Sequence, residues 1–159
     1  MKTALLSDEA PKDVFKFWQS MFVEQIKSGG IDTTSKTLFE KGKALGQSYS
    51  GHEGASWEDA LTGMICGMGG ALKIYGEGKE FHTTVTYPYN ICSIGGPKSS
   101  KTYDLNGGRV PKVYLFQKCL CFPYLQGLLA AFGKNARLAN EGCIIEDGLN
   151  YCKFRITFD

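Results

Sequence analysis

The chain reads as one α+β domain, with N-terminal helices packed on an antiparallel β-sheet and a C-terminal helix and β-hairpin closing the fold. Three observations predict this. Apolar residues recur at helical spacing through most of the first 68 positions. Two alternating segments, 72–75 and 81–87, then flank a turn at 76–80. The last forty residues hold a short apolar helix and two strands meeting at Asp147-Gly148. That dipeptide suits a type I′ hairpin turn, whose two central residues both need positive φ.

Ser7-Asp8-Glu9-Ala10-Pro11 opens the first helix, with a polar cap, acidic residues in the first turn and an early proline. Val14, Phe15, Trp18, Phe22 and Ile26 follow at helical spacing, and Gly29-Gly30 closes the segment. Asp32-Thr33-Thr34 restarts a second helix through Leu38, Phe39 and Leu45 to the neighbourhood of Gly51. Ser56 and Asp59 form a capping box for a third helix over 57–68. It carries Leu61, Met64, Ile65, Cys66 and Met68, with Gly63, Gly67, Gly69 and Gly70 among them. An interior glycine costs about 0.5–1 kcal/mol against alanine, so this run predicts close approach by a neighbouring helix or a bound molecule.

In the second strand Phe81, Thr83, Val85 and Tyr87 face one way and His82, Thr84 and Thr86 the other, until Pro88 ends it. The polar stretch 92–111 has no hydrophobic period and reads as a mobile loop, a candidate lid. The pattern at 110–118 does not choose between helix and strand. The chain therefore divides into a helical and first-strand part (1–91), a loop (92–111) and a C-terminal part (112–159).

An apolar fraction of 43% and a charged fraction of 21% are ordinary for a globular domain. A net charge of +2 without a Lys/Arg cluster argues against a nucleic-acid partner, and no apolar run approaches a membrane span. Residues 1–6 are too short for the apolar core of a signal peptide. Six cysteines without such a signal point to a reducing compartment, by default the cytoplasm. There is no phosphate-cradling glycine loop, no HExxH and no Ser-His-Asp pattern, so the reading leans away from an enzyme.

The cysteines carry the most chemistry. If the Asp147-Gly148 turn forms, Glu146 pairs with Leu149, and counting outward sets Cys143 opposite Cys152. Opposed residues have β-carbons about 4.5–5.5 Å apart, close enough for two thiolates to share a metal with Zn–S bonds of about 2.3 Å. The same count places Glu141 on that face, opposite Phe154. Pro123 suits a first helical turn, which puts Cys121 near a helix N-terminus where the dipole favours thiolate. Cys121, Leu125, Leu128 and Phe132 form one stripe. Packed reduced thiols and a cross-strand disulfide are the alternatives to a metal, and a solvent-facing edge is the alternative for Glu141. His52 and His82 read as surface residues, and Met64 and Met68 as core or as a ligand wall.

Cys119-x-Cys121, the helical YLQGLLAAFG at 124–133, Glu-x-Cys at 141–143 and Tyr-Cys-x-Phe at 151–154 together resemble the 4-vinyl reductase domain over the last forty residues. The resemblance implies an α+β fold related to the ligand-binding domain of haem/nitric-oxide sensors and to vesicle-tethering subunits of Golgi transport. It also implies hydrocarbon binding, and a structural zinc held by Cys119 or Cys121 with Glu141, Cys143 and Cys152. A second resemblance, to aminothiazoline-carboxylate hydrolase-like proteins ending in Cys-x-Phe-Arg, implies a pairing of Cys92 with the Cys119/Cys121 region.

The function expected is binding of a small hydrophobic or aromatic molecule in an apolar pocket near Met64, Cys66, Met68, Tyr87 and Phe122, with zinc at the C-terminal hairpin and a homodimer as the assembly. The alternative is a cysteine-dependent hydrolase-like or tetrapyrrole-processing enzyme, with Cys92 or Cys121 as its reactive thiol.

Overall fold

A computed structural model of the chain describes residues 9–67, 69–87, 102–105, 108–111, 121–146 and 149–159. Helix α1 runs from Glu9–Ser50, and its backbone leaves helical geometry at Gly30 (φ 78°, ψ 172°). Glycine tolerates this positive φ where a side chain would be strained, so the break falls at the Gly29-Gly30 boundary that the sequence predicts. Just past it, the buried Thr34 hydroxyl donates to the Gly30 carbonyl at 2.8 Å.

Helix α2 (Trp57–Gly67) starts on the capping box: the Asp59 amide donates to Ser56 Oγ at 3.1 Å. Strands β1 (Ala71–Glu77) and β2 (Glu80–Tyr87) form the expected hairpin. Helix α3 (Cys121–Ala130) leads to β5 (Ala136–Glu146) and β6 (Leu149–Phe158), antiparallel with Glu146 across from Leu149. The intervening β3 (Thr102–Leu105) and β4 (Gly108–Pro111) pair as a separate ribbon. Residues 102–105 and 108–111, expected to be loop, are therefore strands. Four residues each, without apolar alternation, leave no period to read.

The main sheet is fully antiparallel in the order β1-β2-β6-β5, and its inner face carries α2 and α3. The core is Trp57, Ala60, Leu61 and Ile65 from α2, Leu125, Leu128 and Leu129 from α3, and Val85, Ala136, Phe154, Ile156 and Phe158 from the sheet. Trp57 meets Phe81 and Phe158 edge-to-face, at centroid distances of 5.1 and 5.3 Å. Buried Thr83 donates its hydroxyl to the Phe154 carbonyl at 2.8 Å.

Helix α1 lies against α3 with backbones in contact. A β-carbon on Gly42 would overlap the Tyr124 carbonyl, and one on Gly127 would overlap the Phe39 carbonyl and crowd the Lys43 amide. The close approach expected of the α2 glycines occurs at this crossing instead. A β-carbon on Gly63 would come no nearer than 3.4 Å, to the Tyr49 hydroxyl, and one on Gly67 would meet no described atom within 4 Å.

Candidate functional site

Two sites emerge, one at an end of the core and one on the outer face of the sheet. Trp57 at the start of α2 packs on Phe81 and Phe158, so α2 begins at that end of the sheet. It then runs toward the opposite end, where β1 starts with Ala71 across from Thr86 and Leu72 across from Val85. Helix α3 runs the other way. Phe122 in its first turn packs at a tilt against Phe154 (5.7 Å, 54°), while Lys134 just beyond its end sits 5.5 Å from the Phe158 ring. The end of α2, the start of α3 and the Val85–Cys152 rung thus converge at one end of the sheet.

Of the predicted ligand-binding residues, Met64 and Phe122 reach this end, each partly buried against the core. Cys66, the penultimate residue of α2, is exposed. Tyr87 is there by register, across from Asn150, though its side chain lies outside the described residues, as does Met68.

Of the predicted metal ligands, Cys143 pairs with Cys152 as counted, and Cys152 is partly buried against the core. Cys121 opens α3 and is exposed, so the stripe that buries Leu125 and Leu128 does not cover it. Cys119 and Cys92 lie outside the described residues.

Glu141 is placed differently. The ladder is irregular between Asn140 and Gly142: Asn140 faces Phe154, Gly142 faces Lys153, and Glu141 is the extra residue of a β-bulge. It is therefore not opposite Phe154. Its carboxylate meets His82 Nδ1 at 2.9 Å and approaches Arg155 Nε at 3.9 Å, on the sheet face away from the helices. The structure does not bring Glu141 together with Cys152, which packs on the inner face.

The outer-face cluster was not foreseen. His82 sits between two carboxylates, Glu141 at Nδ1 and Glu80 at Nε2 (3.4 Å). Arg155, its partner across β6, approaches both of them at 3.9 Å. Tyr75 stacks on the imidazole at 5.7 Å and 15°. The hydrogen bond that His82 donates to Glu141 is the main cause holding the His82 pKa above its ordinary 6.5; the Glu141 and Glu80 charges add to it, while desolvation and Arg155 oppose. The available signal was Gly142, since a glycine inside a strand pattern suggests a bulge.

Among the described residues no group of three or more His, Cys, Asp or Glu could hold a metal, and no helix is long and apolar enough to cross a membrane. A shallow surface depression of about 470 Å³ lies along Lys36, Thr37, Glu40, Lys41 and Ala44 of α1.

No family model and no curated protein sequence matches the chain. Solved structures do. An H-NOX (haem-nitric-oxide-binding) domain studied for heme distortion superposes with a TM-score of 0.51 at 10% identity, covering 100% of this chain and 76% of its own. An H-NOX domain studied for its activation gives 0.51 at 12%, covering 87% and 69%. A mutant of the T. tengcongensis H-NOX domain gives 0.51 at 9%, covering 85% and 68%. The wider fold relation implied by the sequence resemblance is thus met, and the 4-vinyl reductase family itself finds no match. Likeness at such low identity speaks for architecture alone: the chain has an α+β fold similar to that of H-NOX domains.

Proposed function

We propose that this protein binds a small hydrophobic or aromatic molecule at the end of the core where α2 finishes and α3 begins. The observation that carries the reading is that Met64, Phe122 and Cys152, carried to that end by α2, α3 and β6, are each partly buried against the core. Methionine and aromatic side chains suit such walls, since they adapt to irregular apolar shapes. The likeness to H-NOX domains, one of them described with heme, supports a ligand-holding role for this architecture.

Haem itself does not fit through histidine. A haem iron takes an axial His, Cys, Met or Tyr, and the chain has two histidines. His82 is bound between Glu141 and Glu80 on the polar outer face, and His52 is exposed just beyond α1. Neither faces an apolar wall.

Native mass spectrometry of the purified full chain tests the proposal. A retained small-molecule adduct is expected, lost on Phe122→Glu while circular dichroism stays unchanged. A chain without an adduct that also fails to enhance anilinonaphthalene-sulfonate fluorescence would sink it.

The register of Cys143 with Cys152 and the start of α3 at Cys121 favour a second reading, a structural zinc drawing on Cys119, Cys121, Cys143 and Cys152. Glu141, engaged with His82, is left out of that set. Metal analysis with thiol counts before and after chelation decides it. About one zinc per chain and newly reactive thiols after chelation support it, and a metal-free protein whose thiols all react at once removes it.

A further inference from the structure

We propose that β1 pairs edge to edge with β1 of a second copy, antiparallel across a two-fold axis at Tyr75, joining two four-stranded sheets into one. The inference stands apart from the ligand site. Among the described residues strand β1 ends the sheet, with β2 as its neighbour on one side. Lys73, Tyr75, Gly76 and Glu77 are exposed along it, and Tyr75, at 56%, is the exposed large hydrophobic residue among those described. An end strand presents N–H and C=O groups that another strand can take up.

The charges choose the register. Within the sheet Glu77 lies directly across from Glu80, a like-charge rung that is unfavourable, and Lys73 lies across from the neutral Thr84. No ion pair among the described residues uses Lys73 or Glu77. Centring a two-fold on Tyr75 sets Lys73 of each copy opposite Glu77 of the other, twice by symmetry, and relieves the Glu77–Glu80 rung. It also brings the two Tyr75 rings face to face across the axis, a favourable cross-strand pair. A two-fold at Lys73 would oppose the lysines to each other, and one at Ile74 would match Lys73 with Tyr75. A register slipped by one residue would set inner-face residues against outer-face ones. Only the Tyr75 centre matches charge and face together.

Pairing over residues 73–77 makes a small interface, so the dimer is expected to dissociate on dilution. Sedimentation velocity of the full chain across a concentration series tests it. A monomer–dimer equilibrium is expected, weakened by added salt. Lys73→Glu and Glu77→Lys should each weaken dimerisation by about tenfold or more. The double variant K73E/E77K, which restores opposite charges with their positions exchanged, should recover it. Exposed positions leave folding intact, and circular dichroism of each variant checks this. A chain that stays monomeric at every concentration overturns the proposal. So does a dimer whose dissociation constant is unmoved by either single reversal, or one that the double variant fails to rescue.

Discussion

The same substitution, glycine to alanine, should have opposite signs at two helical positions of this protein. At Gly127 an added β-carbon overlaps the Phe39 carbonyl and crowds the Lys43 amide. Both obstacles are α1 backbone, so no rotamer change relieves them and the helices must part. Overpacking costs about 1–3 kcal/mol, occasionally more, and with two backbone atoms in the way we expect about 3 kcal/mol. Alanine returns about 1 kcal/mol of helix propensity, leaving a net loss of about 2 kcal/mol.

For a chain of this size each kcal/mol moves the melting temperature by roughly 2–4 °C, so Gly127→Ala should melt about 4–8 °C lower. At Gly63 the nearest atom to an added β-carbon is the Tyr49 hydroxyl at 3.4 Å, an ordinary contact. There the propensity gain stands alone, and Gly63→Ala should melt roughly 1–4 °C higher. Thermal unfolding followed by circular dichroism, with urea titrations for ΔG, reads both. Should Gly127→Ala raise the melting temperature as much as Gly63→Ala does, the α1–α3 backbone contact described above is wrong.

Three further outcomes follow from the same geometry. Because the folded pKa of His82 is raised above 6.5, its stabilising interaction is fully present below that value and is lost as pH rises through the folded pKa. Urea midpoints from pH 5.5 to 8.5 should fall over that window for the wild type and change less for Glu141→Gln; equal slopes would refute the assignment. Trp57→Ala removes a buried indole held edge-to-face by Phe81 and Phe158 and should cost about 3–5 kcal/mol in urea-derived stability. Thr83→Val keeps the shape but deletes the hydroxyl that binds the Phe154 carbonyl, and should cost about 1–3 kcal/mol by the same measurement.

Much of the architecture was legible because it rests on local chemistry. Helical spacing and the Ser56/Asp59 cap located α2, and Gly29-Gly30 located the interruption of α1. Alternation around 76–80 set the β1–β2 hairpin, and counting from Asp147-Gly148 reached the Cys143–Cys152 rung. The count failed two residues further on, because it assumed an unbroken ladder and β5 carries an extra residue at 141. The helix-packing glycines were hidden for a different reason. Gly42 and Gly127 matter through atoms far away in the chain, and nothing in their own neighbourhoods marks them apart from Gly63. The outer-face cluster draws Tyr75, His82, Glu80, Glu141 and Arg155 from four strands, so only the assembled sheet reveals it.

Excising Glu141 would let β5 zip against β6 without interruption, since Asn140 would still meet Phe154 and Gly142 would still meet Lys153. The strand does not require that residue for its own pairing. What an unbroken ladder would forfeit is the carboxylate over His82. The kink is thus an adaptation to the solvent side of the sheet, and a shortened variant lacking this one position should fold with its interior unchanged and its imidazole released.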